Sequence, residues 1–361
     1  MGGNSQSFRR TLVRAALLVL AGVAFAACGK EGPPVPPLRL VPAPVRDLTV
    51  LQRGTQLVFE LGYPKTTPGG GLLGGITGVD VHEVALPAPR EGEPQRLDPR
   101  QFAPAAKLVH SLKESELANA TAGDRLLIRL PAPAPTDPPM AHSYAVRTLG
   151  PRGDRSGFSN QAILVAQAPP PPPEELNAIP APEGVEISWL PPARAGETIK
   201  GFNIYRREAT ARDYGKPLAT LPPTQTRYLD TAARFGTSSI YAVTSVARTA
   251  PLVESAVQAE REVRYLDRFP PPLPADLVAL AENGQVRLVW RSSPATDLAG
   301  YHVYKREPNG PPARLTTEPI DALELTDTGV ESGRTYLYRV TAVDQEGNES
   351  DPGPEVAAEV P

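Results

Sequence analysis

Apolar residues alternate with polar ones in three similar stretches of the chain. Leu57/Phe59/Leu61, Val185/Ile187/Trp189 and Val286/Leu288/Trp290 each follow period two. That spacing predicts strands with one buried face. In each stretch a leucine precedes the last of these residues by 13 positions: Leu48 before Leu61, Leu176 before Trp189, Leu277 before Trp290. A second set follows, ITGVDVHEV from Ile76, IKGFNIYRRE from Ile199 and LAGYHVYKRE from Leu298. Gly78, Gly201 and Gly300 mark where these strands begin. Val79/Val81, Phe202/Ile204 and Tyr301/Val303 are expected to face the core. The third set, YAVRTL, YAVTSV and YRVTAV, starts at Tyr144, Tyr241 and Tyr338, spaced by 97 each time. No helix-length apolar period interrupts these strands. A strand-rich unit repeated at this spacing predicts an all-β chain of three tandem sandwiches.

Composition sharpens the picture at the joints. The chain of 361 residues holds 44 prolines, which disfavour long helices because proline lacks a backbone donor. They concentrate in Gly32–Pro44, in the five-proline run Pro169–Pro173 and in Pro270–Pro274. Polyproline II rises ≈3.1 Å per residue, so the five-proline run predicts a spacer of roughly 15 Å. The expectation is a rod of domains held apart by stiff connectors. A net charge of −3 offers no basic patch for nucleic acid.

The third repeat, with Trp290, then GYHVYKRE, then TDTGVESGRTYLYRVTAVDQEGNES, resembles a fibronectin type III domain of the bacterial kind. That resemblance implies an immunoglobulin-like sandwich of seven strands in two sheets. It places Trp290 on strand B and Tyr301 on strand C. Tyr336 becomes the corner tyrosine of strand F, whose hydroxyl ties back to the backbone. The domains are expected at 45–168, 174–266 and 273–360. The second has Ser239 where the third has Tyr336, which puts its corner hydrogen bond in doubt. The first is divergent, with Leu61 for the tryptophan and His142 for the corner tyrosine. It also carries 26 extra residues between strands C and F, because His82 to Tyr144 spans 62 and Tyr205 to Tyr241 spans 36.

Residues 1–27 contain Arg9, Arg10 and Arg14, no acid, and the apolar run Ala15–Ala27. That run is too short to span a bilayer, where about 20 residues are needed. A basic start, a short apolar run and small residues describe a secretory signal. Ala26-Ala27 lead directly into Cys28, the chain's single cysteine. The stretch resembles the lipobox of bacterial lipoproteins, with Phe25 where that family usually has leucine. The resemblance implies a signal peptide over 1–27, lipidation (palmitate) at Cys28, and a Pro-rich tether over 28–44. Gly29 at the next position implies sorting to a bacterial outer membrane, on its periplasmic or its outer face. Simple secretion and a retained anchor helix are the alternatives.

Candidate chemistry is sparse. Arg152-Gly153-Asp154 spells the tripeptide that animal adhesion receptors bind, and it stands as an adhesion-loop candidate. Aligning Tyr144 with Tyr338 sets GPRGDRS on DQEGNES, so turn chemistry accounts for Gly153 and Asp154. His82 and His142 are expected on opposite sheet faces, which disfavours a shared metal or catalytic site. Asp344, Glu346, Asn348 and Asp351 crowd one loop and read as solvated turn residues or a calcium site. Lys107–Leu117, in the extra segment of the first domain, reads as a strand or a short helix, with strand favoured. No cofactor, metal site or catalytic group is assigned. The expected function is a non-enzymatic, membrane-anchored interaction or spacer scaffold of the cell envelope, with a protein or glycan partner. One alternative rests on CGKEGPP, Cys28–Pro34, which resembles the start of small lipoproteins that assist lipopolysaccharide transport. The other is carbohydrate binding, for which Tyr63, Tyr214, Tyr265 and Phe269 would have to form a platform.

Overall fold

The computed structural model describes residues 40–194 and 199–361. Cys28, the signal segment and most of the tether lie outside the described residues. Leu40–Pro44, the end of that tether, is not free. Leu40 packs against the first core, and the Ala43 amide donates to the Thr66 carbonyl at 2.8 Å.

The first domain pairs β1 (Thr49–Arg53) with β2 (Gln56–Gly62), followed by β3 (Gly78–Pro87). The extra segment then builds α1 (Pro99–Ala105), β4 (Lys107–Lys113), α2 (Glu114–Ala120) and the two-residue β5 (Thr121–Ala122). Strands β6 (Arg125–Pro131), β7 (Met140–Leu149) and β8 (Ala162–Val165) complete it. One sheet runs β1-β2-β6-β5 and the other β4-β3-β7-β8. Between them lie Phe59, Leu61, Val79, Val81, Tyr144 and Val146. The extra segment therefore supplies both a strand and a helix from Lys107 onward. Helix α1 covers the outer face of β3 and β7, where Phe102 meets Val84 and Ala145.

The second domain has β9 (Glu174–Ala181), β10 (Gly184–Leu190), β11 (Gly201–Glu208), β12 (Ala219–Leu221), β13 (Arg227–Asp230), β14 (Thr237–Thr249), β15 (Leu252–Glu254) and β16 (Glu260–Tyr265). Strands β13-β10-β9 form one sheet, and β12-β11-β14 the other, with β16 on the first half of β14 and β15 on its end. The third has β17 (Ala275–Glu282), β18 (Gln285–Arg291), β19 (Leu298–Arg306), β20 (Ala313–Arg314), β21 (Glu324–Asp327), β22 (Thr335–Asp344) and β23 (Val356–Glu359). Its sheets run β17-β18-β21 and β20-β19-β22-β23. Trp189 with Phe202, and Trp290 with Tyr301, meet edge-on between the sheets at 5.4 and 5.6 Å. Burial of each indole contributes on the order of 2–3 kcal/mol. The fold is all-β, three tandem sandwiches of immunoglobulin-like strand order.

Glycine opens the C strands for a steric reason. A Cβ on Gly201 would stand 2.3 Å from the Leu221 carbonyl oxygen, and one on Gly300 2.7 Å from that of Ile320. The neighbouring chain crosses too close for any side chain.

The rod of separated domains needs correction at its first joint. Strand β15 pairs in parallel with β1, Gln52 opposite Val253 and Arg53 opposite Glu254. One continuous sheet therefore runs from the second domain into the first. Pro170 and Pro173 are buried within the proline run, which packs against the protein rather than standing free as a spacer. The physical reason is backbone pairing. An exposed strand edge presents unpaired donors and acceptors, and the edge of β1 meets such a partner in β15.

Candidate functional site

The joint between the first two domains is the most chemically elaborated region of the described chain. Its origin is the hairpin between strands F and G. In all three domains a serine closes this hairpin by accepting a backbone N–H: Thr148 to Ser156 at 2.9 Å, Ser245 to Ser255 at 3.1 Å, Ala342 to Ser350 at 3.0 Å. These pairs are separated by 8, 10 and 8 positions. The two extra residues in the second domain make room for β15.

Glu254 on β15 is fully buried. Its Oε1 accepts from Arg53 Nε of the first domain at 2.6 Å. Its Oε2 accepts from Thr244 Oγ1 at 2.6 Å, Tyr205 Oη at 2.9 Å and Asn203 Nδ2 at 3.0 Å. The Arg53 guanidinium lies 4.9 Å from the centre of the Tyr205 ring, a favourable cation–π distance. Burial pushes the Tyr205 hydroxyl up, and the Glu254 charge pushes it further, so it stays a donor. Burial works against the charge on Arg53, but Glu254 more than offsets it and its pKa rises. A carboxylate removed from water this completely is tolerated because each oxygen is saturated by donors.

Other contacts flank this centre. The loop after β11 reaches across the first domain, where Asp213 pairs with Arg129 and Arg212 Nη1 donates to Asn119 Oδ1 at 3.1 Å. Arg248 meets Glu93 at 3.2 Å. Beside them a cleft of about 480 Å³ lies between Leu48 and the first residues of β1, Gln161 and the first residues of β8, and Thr249–Leu252 of the second domain.

The third domain repeats the receiving group without an inter-domain arginine. Tyr304 Oη and Thr341 Oγ1 donate to Glu349 at 2.7 and 2.6 Å, and Arg339 of the same domain lies over the Tyr304 ring. Its hairpin is the shorter one, and Glu349 is exposed.

Below strand F a second constellation recurs. Tyr241 Oη donates to Asp230 at 2.8 Å, and Tyr338 Oη to Asp327 at 2.8 Å. Arg206 and Lys305 close the same carboxylates at 2.6 and 2.8 Å. The corner tyrosine of the third domain does tie back, its Oη accepting from the Glu331 amide at 3.2 Å.

The adhesion-loop residues sit in a tight turn. The Gly150 amide donates to the Asp154 carbonyl at 2.8 Å, and Gly153 has φ 78. The third domain shows the same turn, with Asp344 donating to Asn348 at 3.1 Å and Gly347 at φ 87. Arg152 and Gly153 are exposed and Asp154 is half-buried.

His82 meets Phe158 on the outer face of β3, whereas His142 bonds Glu83 through Nδ1 at 2.7 Å beside the inward Tyr144. Two imidazoles on opposite faces form no joint site.

Asp344 and Glu346 gather with Asp267 of the second connector and Asp297, with one oxygen of each within 4.8 Å of the others. Asn348 and Asp351 are not in that group, and Asn348 instead donates to Asp344 at 2.7 and 2.8 Å.

The four aromatics of the expected platform are occupied. Tyr265 is buried and its hydroxyl donates to the Ala181 carbonyl at 2.7 Å. Phe269 and Tyr63 pack on the second and first cores, and Tyr214 donates to Glu260 at 2.8 Å. Phe235, which the sequence reading passed over, is exposed beside Tyr265 at 4.4 Å. The hairpin insertion was equally missed, although counting from Tyr241 to Ser255 and from Tyr338 to Ser350 would have found it.

No protein-family model matches the chain. It is 33% identical over 85 residues to the amylopullulanase of Thermoanaerobacterium saccharolyticum and 37% over 89 residues to that of Thermoanaerobacter thermohydrosulfuricus. These matches cover 24% and 25% of this chain and 6% of each relative. Among solved structures it is similar to the FN1-FN3 domains of chicken CNTN1, at 12% identity and a TM-score of 0.27, covering 88% of this chain and 99% of that one. It is also similar to an Fn3-like protein from Clostridium thermocellum, at 29% identity and a TM-score of 0.23, covering 26% of this chain and 96% of that one.

Proposed function

We propose that this chain is a non-enzymatic scaffold of the bacterial cell envelope, tethered by a lipid at Cys28. In this reading it holds an interaction surface at a defined distance from its anchor. The observation that carries the reading is the shared sheet at the first joint. Scaffolds that position a partner need domains that do not swing. Parallel pairing of β1 with β15, locked by Arg53 and Glu254, makes two sandwiches behave as one body. Loops on a rigid scaffold are where contacts are usually made, and the cleft at this joint borders β8, an edge strand able to accept an extended partner segment.

Two measurements test the two halves of this reading. Labelled palmitate is expected to enter the protein in cells and to be lost with Cys28→Ala; incorporation that survives the substitution overturns the anchor. Crosslinking in intact cells is expected to trap a partner on residues lining the cleft. Crosslinks confined to other faces, or none at all, remove the cleft as the interaction surface.

A second reading, contact with a glycan, is favoured by the partial similarity to amylopullulanases. Retardation of the protein in gels containing pullulan supports it, and unchanged mobility rejects it.

A further inference from the structure

We propose that the first domain holds a site for a small organic cation, in the space where the other two domains seat an arginine or a lysine of their own. The three domains share one register here. Glu83, Arg206 and Lys305 stand directly opposite Tyr144, Tyr241 and Tyr338. On the facing sheet Leu130, Asp230 and Asp327 stand opposite Leu57, Val185 and Val286. Residues directly opposite one another share a sheet face. The tyrosines, Leu57, Val185 and Val286 lie in the three cores, so their partners also point between the sheets.

In the second and third domains these positions form a closed set. The tyrosine hydroxyl donates to the aspartate, and Arg206 or Lys305 pairs with the same carboxylate at 2.6 or 2.8 Å. One cation neutralises one acid.

The first domain keeps the tyrosine and exchanges the rest. Leu130 takes the place of the aspartate, and Glu83 that of the cation. The carboxylate thus moves to the opposite sheet. A cavity of about 290 Å³ opens here, lined by Leu57, Glu83, His110, Leu130 and Tyr144, and no lysine or arginine lines it. Val109 and Pro131 line it too and are exposed, so it is open to solvent.

Glu83 is half-buried, and its ion pair is with His142, Oε1 to Nδ1 at 2.7 Å. Lys107, opposite Glu83 on β4, is exposed and is not part of that pair. Burial and the charge on Glu83 push the Tyr144 hydroxyl up, so it keeps its proton, and its oxygen retains lone pairs for a further donor. A carboxylate withdrawn from water is best satisfied by charged donors. An ammonium or guanidinium on a short aliphatic arm meets these terms. Its charge faces Glu83 and the Tyr144 oxygen, and its arm lies along Leu57 and Leu130. Such a ligand supplies from outside what Arg206 and Lys305 supply from within. A free alkylamine and the lysine side chain of a neighbouring protein share this chemistry.

Calorimetric titration of the full chain with n-butylamine and with Nα-acetyl-lysine methylamide separates the two sources. Tighter binding of butylamine assigns a free amine; binding of the blocked lysine at least as tight assigns a side chain. In either case n-butanol, the neutral counterpart, is expected to bind at least about tenfold more weakly than butylamine. Glu83→Gln is expected to weaken amine binding by a similar factor. The double variant Glu83→Arg/Leu130→Asp, which restores the second domain's set, is expected to abolish binding with no fall in melting temperature. Butanol binding as tightly as the amine overturns the assignment, as does silence toward both amines or amine binding that both variants retain. If either variant fails to fold, the other decides alone.

Discussion

Arg53 and Glu254, 201 positions apart in sequence, meet at 2.6 Å in the middle of a sheet that belongs to two domains. Removing one partner of a buried pair leaves the other charged and unsatisfied, a loss of roughly 3–5 kcal/mol. Glu254→Ala is therefore expected to separate the unfolding of the first two domains into distinct transitions. It is also expected to broaden the distance distribution between spin labels placed one on each domain. A single transition and an unchanged distribution would show that the backbone pairing alone holds the joint.

Gly201→Ala forces a Cβ to within 2.3 Å of a carbonyl oxygen. Overpacking of this kind costs roughly 1–3 kcal/mol. Urea denaturation is expected to show the second domain weakened by that amount. Ala substituted at Gly215, where nothing lies within 4 Å, serves as the matched control.

Acid should weaken the third domain through Asp327. Burial raises this carboxyl, but Lys305, the Tyr338 hydroxyl and the Gly329 amide hold it below its usual 3.8. A carboxyl whose folded pKa is depressed contributes stability above its unfolded pKa and loses it as pH falls. Stability is thus expected to be level near neutrality and to fall from about pH 4 downward. Asp327→Asn is expected to be less stable at pH 7 and to show a flatter profile, measured by denaturant titration at pH 7 and pH 3. An equal slope in both proteins would refute this assignment.

The Arg152-Gly153-Asp154 turn has the geometry of its counterpart at Asp344–Asn348. Attachment of integrin-bearing cells to immobilised protein is expected to be the same for wild type and Asp154→Glu. Gly153→Ala, forced into φ 78, is expected to cost on the order of 1 kcal/mol. Loss of attachment in Asp154→Glu would instead make the loop an adhesion site.

Much of this molecule was legible from spacing. Val185/Ile187/Trp189 and Val286/Leu288/Trp290 alternate because one face of each strand is buried, and they lie in the second and third cores. The corner bond of Tyr336 and the turn at Gly153 were equally readable, because both depend on residues a few positions apart. The empty corner of the second domain announced itself through Ser239.

Local pattern determined the strands, their inward faces, the tight turns and the threefold repeat, since each follows from the two-residue period of an extended chain and from the few residues that accept a turn. Only the folded arrangement decided that the first two sandwiches share a sheet. Backbone amides and carbonyls carry no residue identity, so nothing in the letters of β1 or β15 marks them as partners. The burial of Glu254 beneath Arg53 exists only once two distant hairpins have come to the same edge.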